Sequence, residues 1–281
     1  MKIGLIVNKD KENAILIAQK IVDLLSDEGV IILSSSLIEL TNTQKFDNDE
    51  EIIKNCDVAI TVGGDGTIIH SAKFAGAYKK PLIGVNLGRI GFVAGVEPDE
   101  ISSLKKLVTG DYKIQSRMLL DVVVNHNGEQ ECFTAVNEAA ICRGALSSIV
   151  DIVVSLNNER IISYRADGML FATPTGSTAY SFSAGGPVIE PDMKCILLTP
   201  VCPHALSSRQ VVFSENSKLT AQVLLHSDSK CYLTVDGQNS IELNDTDIVC
   251  VKKSKLELDV IILKEKNFYT LLNEKLKETD L

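Results

Sequence analysis

Apolar and polar positions along the first hundred residues alternate between two textures. Short β-branched runs, Ile3 to Val7, Val30 to Leu33, Val58 to Val62 and Leu82 to Val85, read as strands. From Glu12 to Ser26 the apolar residues Ala14, Ile17, Ala18, Ile21 and Leu25 recur at steps of three and four. That spacing lines one face of a helix, which Gly29 can close. A second helix is predicted from Thr67 onward. Strand, helix and strand in this order are the pattern of βαβ units around a parallel sheet.

After about residue 115 the texture changes to strands separated by polar turns. Leu119 to Val124 ends at His126-Asn127-Gly128, and Ile152 to Leu156 ends at Asn157-Asn158. Both are hairpin signals, because Asn and Gly tolerate positive φ. Further strands are expected at Met169 to Thr173, Cys195 to Leu198, Leu219 to Leu225, Cys231 to Val235 and Ile248 to Val251. The expected fold is therefore an α/β domain over residues 1–115 and an all-β sandwich domain over 116–255. A last strand, Leu256 to Leu263, precedes a charged tail, and the segment 256–281 could return to either domain.

Composition narrows the function classes. Near 300 residues, folding hides roughly three quarters of the unfolded surface, so a substantial core is available. A net charge of -9 argues against general attraction to nucleic acid or to an anionic membrane. The basic pairs Lys79-Lys80, Lys105-Lys106 and Lys252-Lys253 are isolated. Seven cysteines, an odd number and never spaced C-x-x-C, suggest neither a disulfide framework nor a zinc site, so a reduced, cytoplasmic chain is expected. The apolar run at the start is broken too early for a secretory signal, and nothing approaches the roughly 18 apolar residues of a spanning helix.

Three segments carry candidate chemistry. The first, Gly63-Gly64-Asp65-Gly66-Thr67, lies where a strand ends and a helix begins. Its glycines let backbone approach a ligand closely, and the helix N-terminus offers N–H groups to phosphate. A carboxylate in such a loop repels an anion, so Asp65 is suited to accepting a proton or helping to hold a metal. The Walker pattern is absent, and the third glycine of a Rossmann fingerprint is missing. The second segment, Asn137-Glu138, can donate to and accept from a ribose diol or an adenine edge, although taken alone such a pair reads first as a solvated strand edge. The third runs from Arg165-Ala166-Asp167-Gly168 into Thr173-Pro174-Thr175-Gly176-Ser177-Thr178-Ala179-Tyr180-Ser181-Phe182-Ser183-Ala184-Gly185-Gly186-Pro187. It is dense in hydroxyl and N–H donors, as a loop around a polar ligand would be.

These strings, in this order, resemble the NAD kinase family. The segments Leu198 to Arg209 and Asp236-Gly237-Gln238 share the likeness, which runs from the first strand to about residue 255. The resemblance implies a phosphofructokinase- and diacylglycerol-kinase-like N-terminal domain and a C-terminal β-sandwich. It also implies phosphoryl transfer from ATP, another triphosphate or polyphosphate to the 2′-hydroxyl of the adenosine ribose of NAD. By the same likeness Asp65 is the catalytic base. Gly63, Gly64, Gly66, Thr67, His70, Phe92, Asn137, Glu138, Arg165, Asp167, Thr175, Thr178, Ala179, Tyr180, Ser183 and Gln238 become nucleotide contacts. The pattern is departed from at His70, where the likeness calls for arginine, and at Gly95, where it calls for aspartate. The family also implies a homodimer or homotetramer.

An ordinary aspartate, with a pKa of ~3.9, cannot deprotonate a ribose hydroxyl in the ground state. The proton must move late, which fits a loose phosphoryl-transfer transition state governed by positioning and charge neutralisation. No lysine adjoins the GGDGT string in sequence, so Mg²⁺ or another divalent cation with helix N–H groups is expected to carry the donor charge. The alternative is a basic side chain folded in from elsewhere. A diacylglycerol-type lipid kinase would share the loop but commonly has Asn-Glu almost directly after it, where Ile68-Ile69-His70 stands here. A non-enzymatic NAD sensor would not need Asp65.

Overall fold

The computed structural model describes residues 1–87, 95–126, 128–145, 148–205, 208–226, 229–264 and 268–278. Two compact units emerge: Met1–Arg117 with Leu256–Leu281, and Met118–Lys255.

In the first unit the chain runs through β1 (Lys2–Val7), α1 (Ala14–Ser26), β2 (Ile31–Ser35), β3 (Gln44–Phe46), α2 (Asp49–Asn55), β4 (Val58–Gly63), α3 (Asp65–Ala77) and β5 (Leu82–Asn86). A 3-10 turn at Ile101–Lys105 then leads into α4 (Lys106–Thr109). Every residue of β4 and β5 is buried, as strands covered on both faces must be. The α1 stripe Ala14, Ile17, Ala18, Ile21, Val22 and Leu25 packs into the same core as Ile3, Leu5, Ile60 and Val62. Short α2 is fixed by its ends: the Asn48 side chain accepts from Glu51 N–H at 2.9 Å, and acids fill the first turn.

The strands pair in parallel in the order β3–β2–β1–β4–β5. Chain order therefore reverses between β1 and β4. In an open α/β sheet this reversal opens a crevice at the strands' carboxyl ends. The chain just after β1 and the Gly63-Gly64 turn both lie at that edge.

The second unit begins within β6 (Lys113–His126) and continues through β7 (Glu129–Ala135), β8 (Glu138–Arg143), β9 (Val150–Leu156), β10 (Glu159–Ala166) and β11 (Gly168–Ala172). A 3-10 turn (Thr175–Thr178) and the single-turn α5 (Tyr180–Ser183) come next. Then follow β12 (Cys195–Val201), β13 (Val211–Ser214), β14 (Leu219–Leu224), β15 (Cys231–Val235), β16 (Gln238–Leu243) and β17 (Ile248–Ile262). One antiparallel sheet is ordered β13–β12–β11–β8–β15–β16, while β10–β9–β14–β17 and the β6–β7 hairpin supply the facing layer. Ile141, Met169, Phe171 and Leu233 of the first layer share a core with Leu120, Ile152, Val154 and Val251 of the other. Burying each large apolar side chain contributes about 1.5–3 kcal/mol. Two-residue turns close β9–β10 at Asn157-Asn158 (φ 51° and 72°) and β15–β16 at Asp236-Gly237 (φ 51° and 70°). Both have the paired positive φ of hairpin turns that match strand twist.

The α/β and all-β architecture matches the sequence expectation, with local differences. Ile248 to Val251 and Leu256 to Leu263, expected as separate strands, are joined in the single β17, which ends at Ile262. The polar stretch between them sits on a strand whose burial alternates, so the chain never leaves the sheet. Beyond that stretch, Val260 pairs in parallel with Leu82, adding β17 beside β5 in the first unit. The final helix is α6 (Phe268–Glu278), and no helix among the described residues is long and apolar enough to cross a membrane.

Candidate functional site

The glycine turn follows β4 at the sheet reversal. Gly63 is required by packing: a β-carbon there would stand 2.4 Å from Thr67 Oγ1 and 3.2 Å from Asn8 Cβ. Its carbonyl accepts from Leu87 N–H at 2.8 Å, tying the turn to the end of β5. Gly64 is the N-cap of α3, in extended conformation, and accepts from Thr67 N–H at 3.0 Å. A β-carbon on Gly66 would meet nothing within 4 Å. The fold thus has no packing reason for glycine at 66. Asp65 is the first residue of α3 and half-buried. The helix begins two residues earlier than the sequence pattern suggests, placing this carboxylate within the first turn.

The neighbouring strand end supplies a residue that the sequence hides. After β1, Asn8 Oδ1 accepts from Asp10 N–H at 3.1 Å, and Lys11 N–H donates to Asn8 O at 3.1 Å, curling the chain into a tight turn. Asn8 Nδ2 also donates to Thr67 Oγ1 at 3.3 Å. The turn carries exposed Lys11 to the glycine loop, its Cε 3.9 Å from the position of a β-carbon on Gly64. The basic group absent beside the loop in sequence is present beside it in space. A cavity of about 520 Å³ opens at the same edge, between Asn13 and Lys20 on one side and Asn86 and Glu97 on the other.

His70, one helical turn further along α3, is turned toward α2. Its Nε2 lies 3.7 Å from Asp49 Oδ2 and its ring meets Phe74 edge-on at 5.6 Å. Phe92 lies outside the described residues, as does the 88–91 string before it.

In the second unit, Val136-Asn137-Glu138 connects β7 to β8. Glu138 opens a strand flanked by β11 and β15 and is 7% exposed, so the pair does not sit on a solvated strand edge. Its Oε2 is buried with no hydrogen-bond partner among the described residues. Burial, and secondarily the Asp236 charge, push its carboxyl up to about 7. Thr173 packs against the segment, its N–H donating to Asn137 O at 2.8 Å and its hydroxyl to Val136 O at 2.7 Å. Gly176 is pressed onto Asn137: a β-carbon would stand 2.2 Å from the Asn137 carbonyl oxygen.

The hydroxyl-rich block divides into two sets. Ser177 both donates to Ile189 O and accepts from Ile189 N–H, and Ser181 bonds Thr199 at 2.9 Å, so these serines hold the loop in place. Thr178 and Ala179 are half-buried, whereas Tyr180 and Ser183 are exposed. Thr175 is buried, with an Oγ1 that has no partner among the described residues. Two expected contacts are engaged within the protein. Arg165 forms a two-pronged pair with Asp151, at 2.9 and 2.8 Å, across the β9–β10 register. Asp167 receives Arg143 Nε at 2.6 Å, an arginine at the end of β8 that lies in none of the three segments singled out in the sequence. Gln238 is exposed at the start of β16, directly after the Asp236-Gly237 turn.

A glycine turn bearing a carboxylate, at the reversal point of a parallel sheet and in one chain with an all-β unit, defines an α/β enzyme that handles nucleotides. The ATP-NAD kinase N-terminal domain model matches residues 3–112, and the ATP-NAD kinase C-terminal domain model matches residues 136–263. The chain belongs to the NAD kinase family, whose activity is the phosphorylation of NAD to NADP. It is 36% identical over 280 residues to NAD kinase of Acetivibrio thermocellus, covering 98% of this chain and 97% of that one. The figures for NAD kinase of Desulforamulus reducens are the same. Among solved structures, an NAD kinase from Archaeoglobus fulgidus in complex with ATP matches with a TM-score of 0.75 and 26% identity, over 98% of each chain. Yeast NADH kinase complexed with NADH shares the fold, with a TM-score of 0.88 at 22% identity over 99% of this chain and 87% of that one.

Proposed function

We propose that Asp65 is the general base of the NAD kinase reaction and that the turn around it receives the donor phosphates. The observation that carries this reading is the placement of Asp65 in the first turn of α3, between glycines of which Gly66 has no packing role. In the proposed step the 2′-hydroxyl oxygen of the adenosine ribose bonds to the γ-phosphorus of ATP. The bond from that phosphorus to its bridging oxygen breaks, ADP leaves, and the hydroxyl proton passes to the Asp65 carboxylate. The transfer is late, because a carboxylate is too weak a base to take a ribose hydroxyl proton before the hydroxyl oxygen loses charge to phosphorus.

Backbone N–H groups of the α3 first turn, with Gly63, Gly64, Gly66 and Thr67, would face the donor phosphates, and Lys11 would add a positive charge. NAD would be held by Asn137, Glu138, Asp167, Thr175, Thr178, Ala179, Tyr180, Ser183 and Gln238, with Arg165, His70 and Phe92 as further contacts. The buried, unpartnered Glu138 Oε2 and Thr175 Oγ1 support this assignment, since a ligand hydroxyl or amino group would complete both.

No group of three or more metal-ligating side chains occurs among the described residues. A Mg²⁺ ion carried mainly by donor phosphates needs only one or two protein carboxylates, and Asp65 would be one. Such an ion supplies charge neutralisation on the phosphates. A homodimer or homotetramer in the cytoplasm completes the reading, and sedimentation of the purified protein tests the assembly.

The deciding experiment incubates the protein with NAD, ATP and Mg²⁺ and follows the 2′-phosphorylated product, comparing Asp65→Asn with the natural chain. Normal turnover by the variant would remove the proposed base.

A further inference from the structure

We propose that Asp236 is a positioning residue for the reaction: its carboxylate fixes the backbone of Asn137 and Glu138 and so sets where their side chains meet the dinucleotide. The inference rests on the reading of Asn137 and Glu138 as NAD contacts and deepens it.

The geometry is specific. Asp236 Oδ2 accepts from Val136 N–H at 2.9 Å, and Oδ1 accepts from Asn137 N–H at 2.8 Å and Glu138 N–H at 3.1 Å. In return Asp236 N–H donates to Glu138 O at 2.9 Å. Thr173 takes the remaining two groups, the carbonyls of Val136 and Asn137. Two residues therefore satisfy all six backbone polar groups of the three-residue segment, which is bonded without help from a ligand. Both Asp236 oxygens accept from N–H groups of this segment, which is how the carboxylate holds it in place.

Local sequence explains how the carboxylate gets there. The Asp-Gly turn between β15 and β16 needs positive φ at both central residues, and aspartate tolerates it. Antiparallel pairing of β15 with β8 sets Val235 opposite Ala139, so the next residue in the turn lies beside the chain entering β8. Asparagine would suit the turn equally well. It has one acceptor oxygen, however, and three N–H groups converge here, so the carboxylate is the group that fits.

The same placement puts a negative charge beside Glu138. Asp236 is the charged group acting on Glu138 among the described residues, and β11 contributes only Ala172 opposite it. A ribose hydroxyl is better accepted by the ionised Glu138. NAD binding should therefore weaken as pH falls through neutrality, and removing the Asp236 charge should move that weakening to lower pH.

The test measures KM for NAD and kcat from pH 5.5 to 9 for the natural chain, Asp236→Asn and Glu138→Gln. The expected result for Asp236→Asn is a KM for NAD raised about tenfold at pH 8, the cost of broken buried hydrogen bonds. Its kcat at saturating NAD should hold within about threefold, a smaller loss than one such bond brings, and its acid-side rise in KM should be displaced downward. Glu138→Gln should raise KM and abolish that acid-side rise. If Glu138→Gln leaves KM and its pH dependence untouched, the underlying reading of Glu138 as an NAD contact fails. If Glu138→Gln behaves as expected while Asp236→Asn superimposes on the natural profile, or loses kcat with KM unchanged, the positioning role alone fails. Hydrogen exchange in the free natural protein decides the matter independently of variant folding. The amides of Val136, Asn137 and Glu138 should be protected without NAD, and rapid exchange there would overturn the proposal.

Discussion

The aliphatic stem of Lys11 runs past Gly64, its Cε 3.9 Å from where that glycine's β-carbon would stand, although 53 positions separate the two in sequence. On the proposed reading, an ammonium beside this turn would strengthen the hold on the donor phosphates without entering the chemistry. Lys11→Ala is therefore expected to raise KM for ATP about tenfold, the worth of a hydrogen bond to a charged group, and Lys11→Arg to restore most of it. Initial rates at varied ATP with saturating NAD check this, and an unchanged KM for ATP would leave Lys11 without a role.

Replacing Asp65 by asparagine keeps its size and removes its capacity to take a proton. We expect kcat to drop by about 10²–10⁴-fold, the usual worth of a positioned base. The dissociation constant for NAD, measured by calorimetry, should stay within a small factor. A parallel loss of binding would make Asp65 a contact instead of a base.

The glycines of the turn separate stability from function. Gly63→Ala forces a β-carbon against Thr67 and should cost about 1–3 kcal/mol of stability. Gly66→Ala meets no neighbouring atom, so its melting temperature should be close to that of the natural chain while turnover falls. Thermal melts alongside assays distinguish the two, and full activity in Gly66→Ala would show that no ligand approaches there.

Glu138 links stability to pH. Its carboxyl ordinarily titrates near 4.5 and is pushed up to about 7 here. Between those values the native state holds a proton that the unfolded chain has released. The stability associated with protonated Glu138 is therefore complete below about pH 4.5 and is lost as pH rises through 7. Glu138→Gln lacks this loss, so its stability relative to the natural chain should improve between pH 4 and pH 8, by on the order of 3 kcal/mol. Denaturant titrations without ligand at the two pH values measure it, and a constant difference would place Glu138 in a wetter setting than the structure gives it.

Chelation by EDTA should abolish turnover, with recovery on adding Mg²⁺ or Mn²⁺, while leaving the melting temperature of the unliganded protein unchanged. Residual activity in thoroughly chelated enzyme would shift the donor charge to Lys11 and the helix N–H groups.

Much of this is legible in the sequence because the relevant signals are local. The β-branched strand before Gly63 and the periodic stripe of α1 announce the parallel sheet, and Asp65 falls where strand passes to helix. What escapes depends on contacts between distant residues. Lys11 reaches the loop through the Asn8 turn, and Asp236 meets the 136–138 segment through strand register, so neither relationship leaves a mark in its own neighbourhood. Helix α2, seven residues long with Ile52 and Ile53 as its buried pair, is too short to show a period. β10 has the pattern of a strand exposed along much of its length, and its hydrophobic signal is correspondingly weak. The Asn137-Glu138 pair suits a wet strand edge as well as a buried strand start, and only the flanking β11 and β15 decide between them.

The course of β17 has a practical consequence for anyone dividing the gene. A fragment ending near residue 117 would lack Val260, which pairs with Leu82, together with Ile261 and Leu263 of the first unit's core. It should expose apolar surface and aggregate. Fragment complementation or circular permutation should succeed sooner if the break is made at an exposed hairpin tip such as Asn157-Asn158, where both β17 and the glycine turn stay whole.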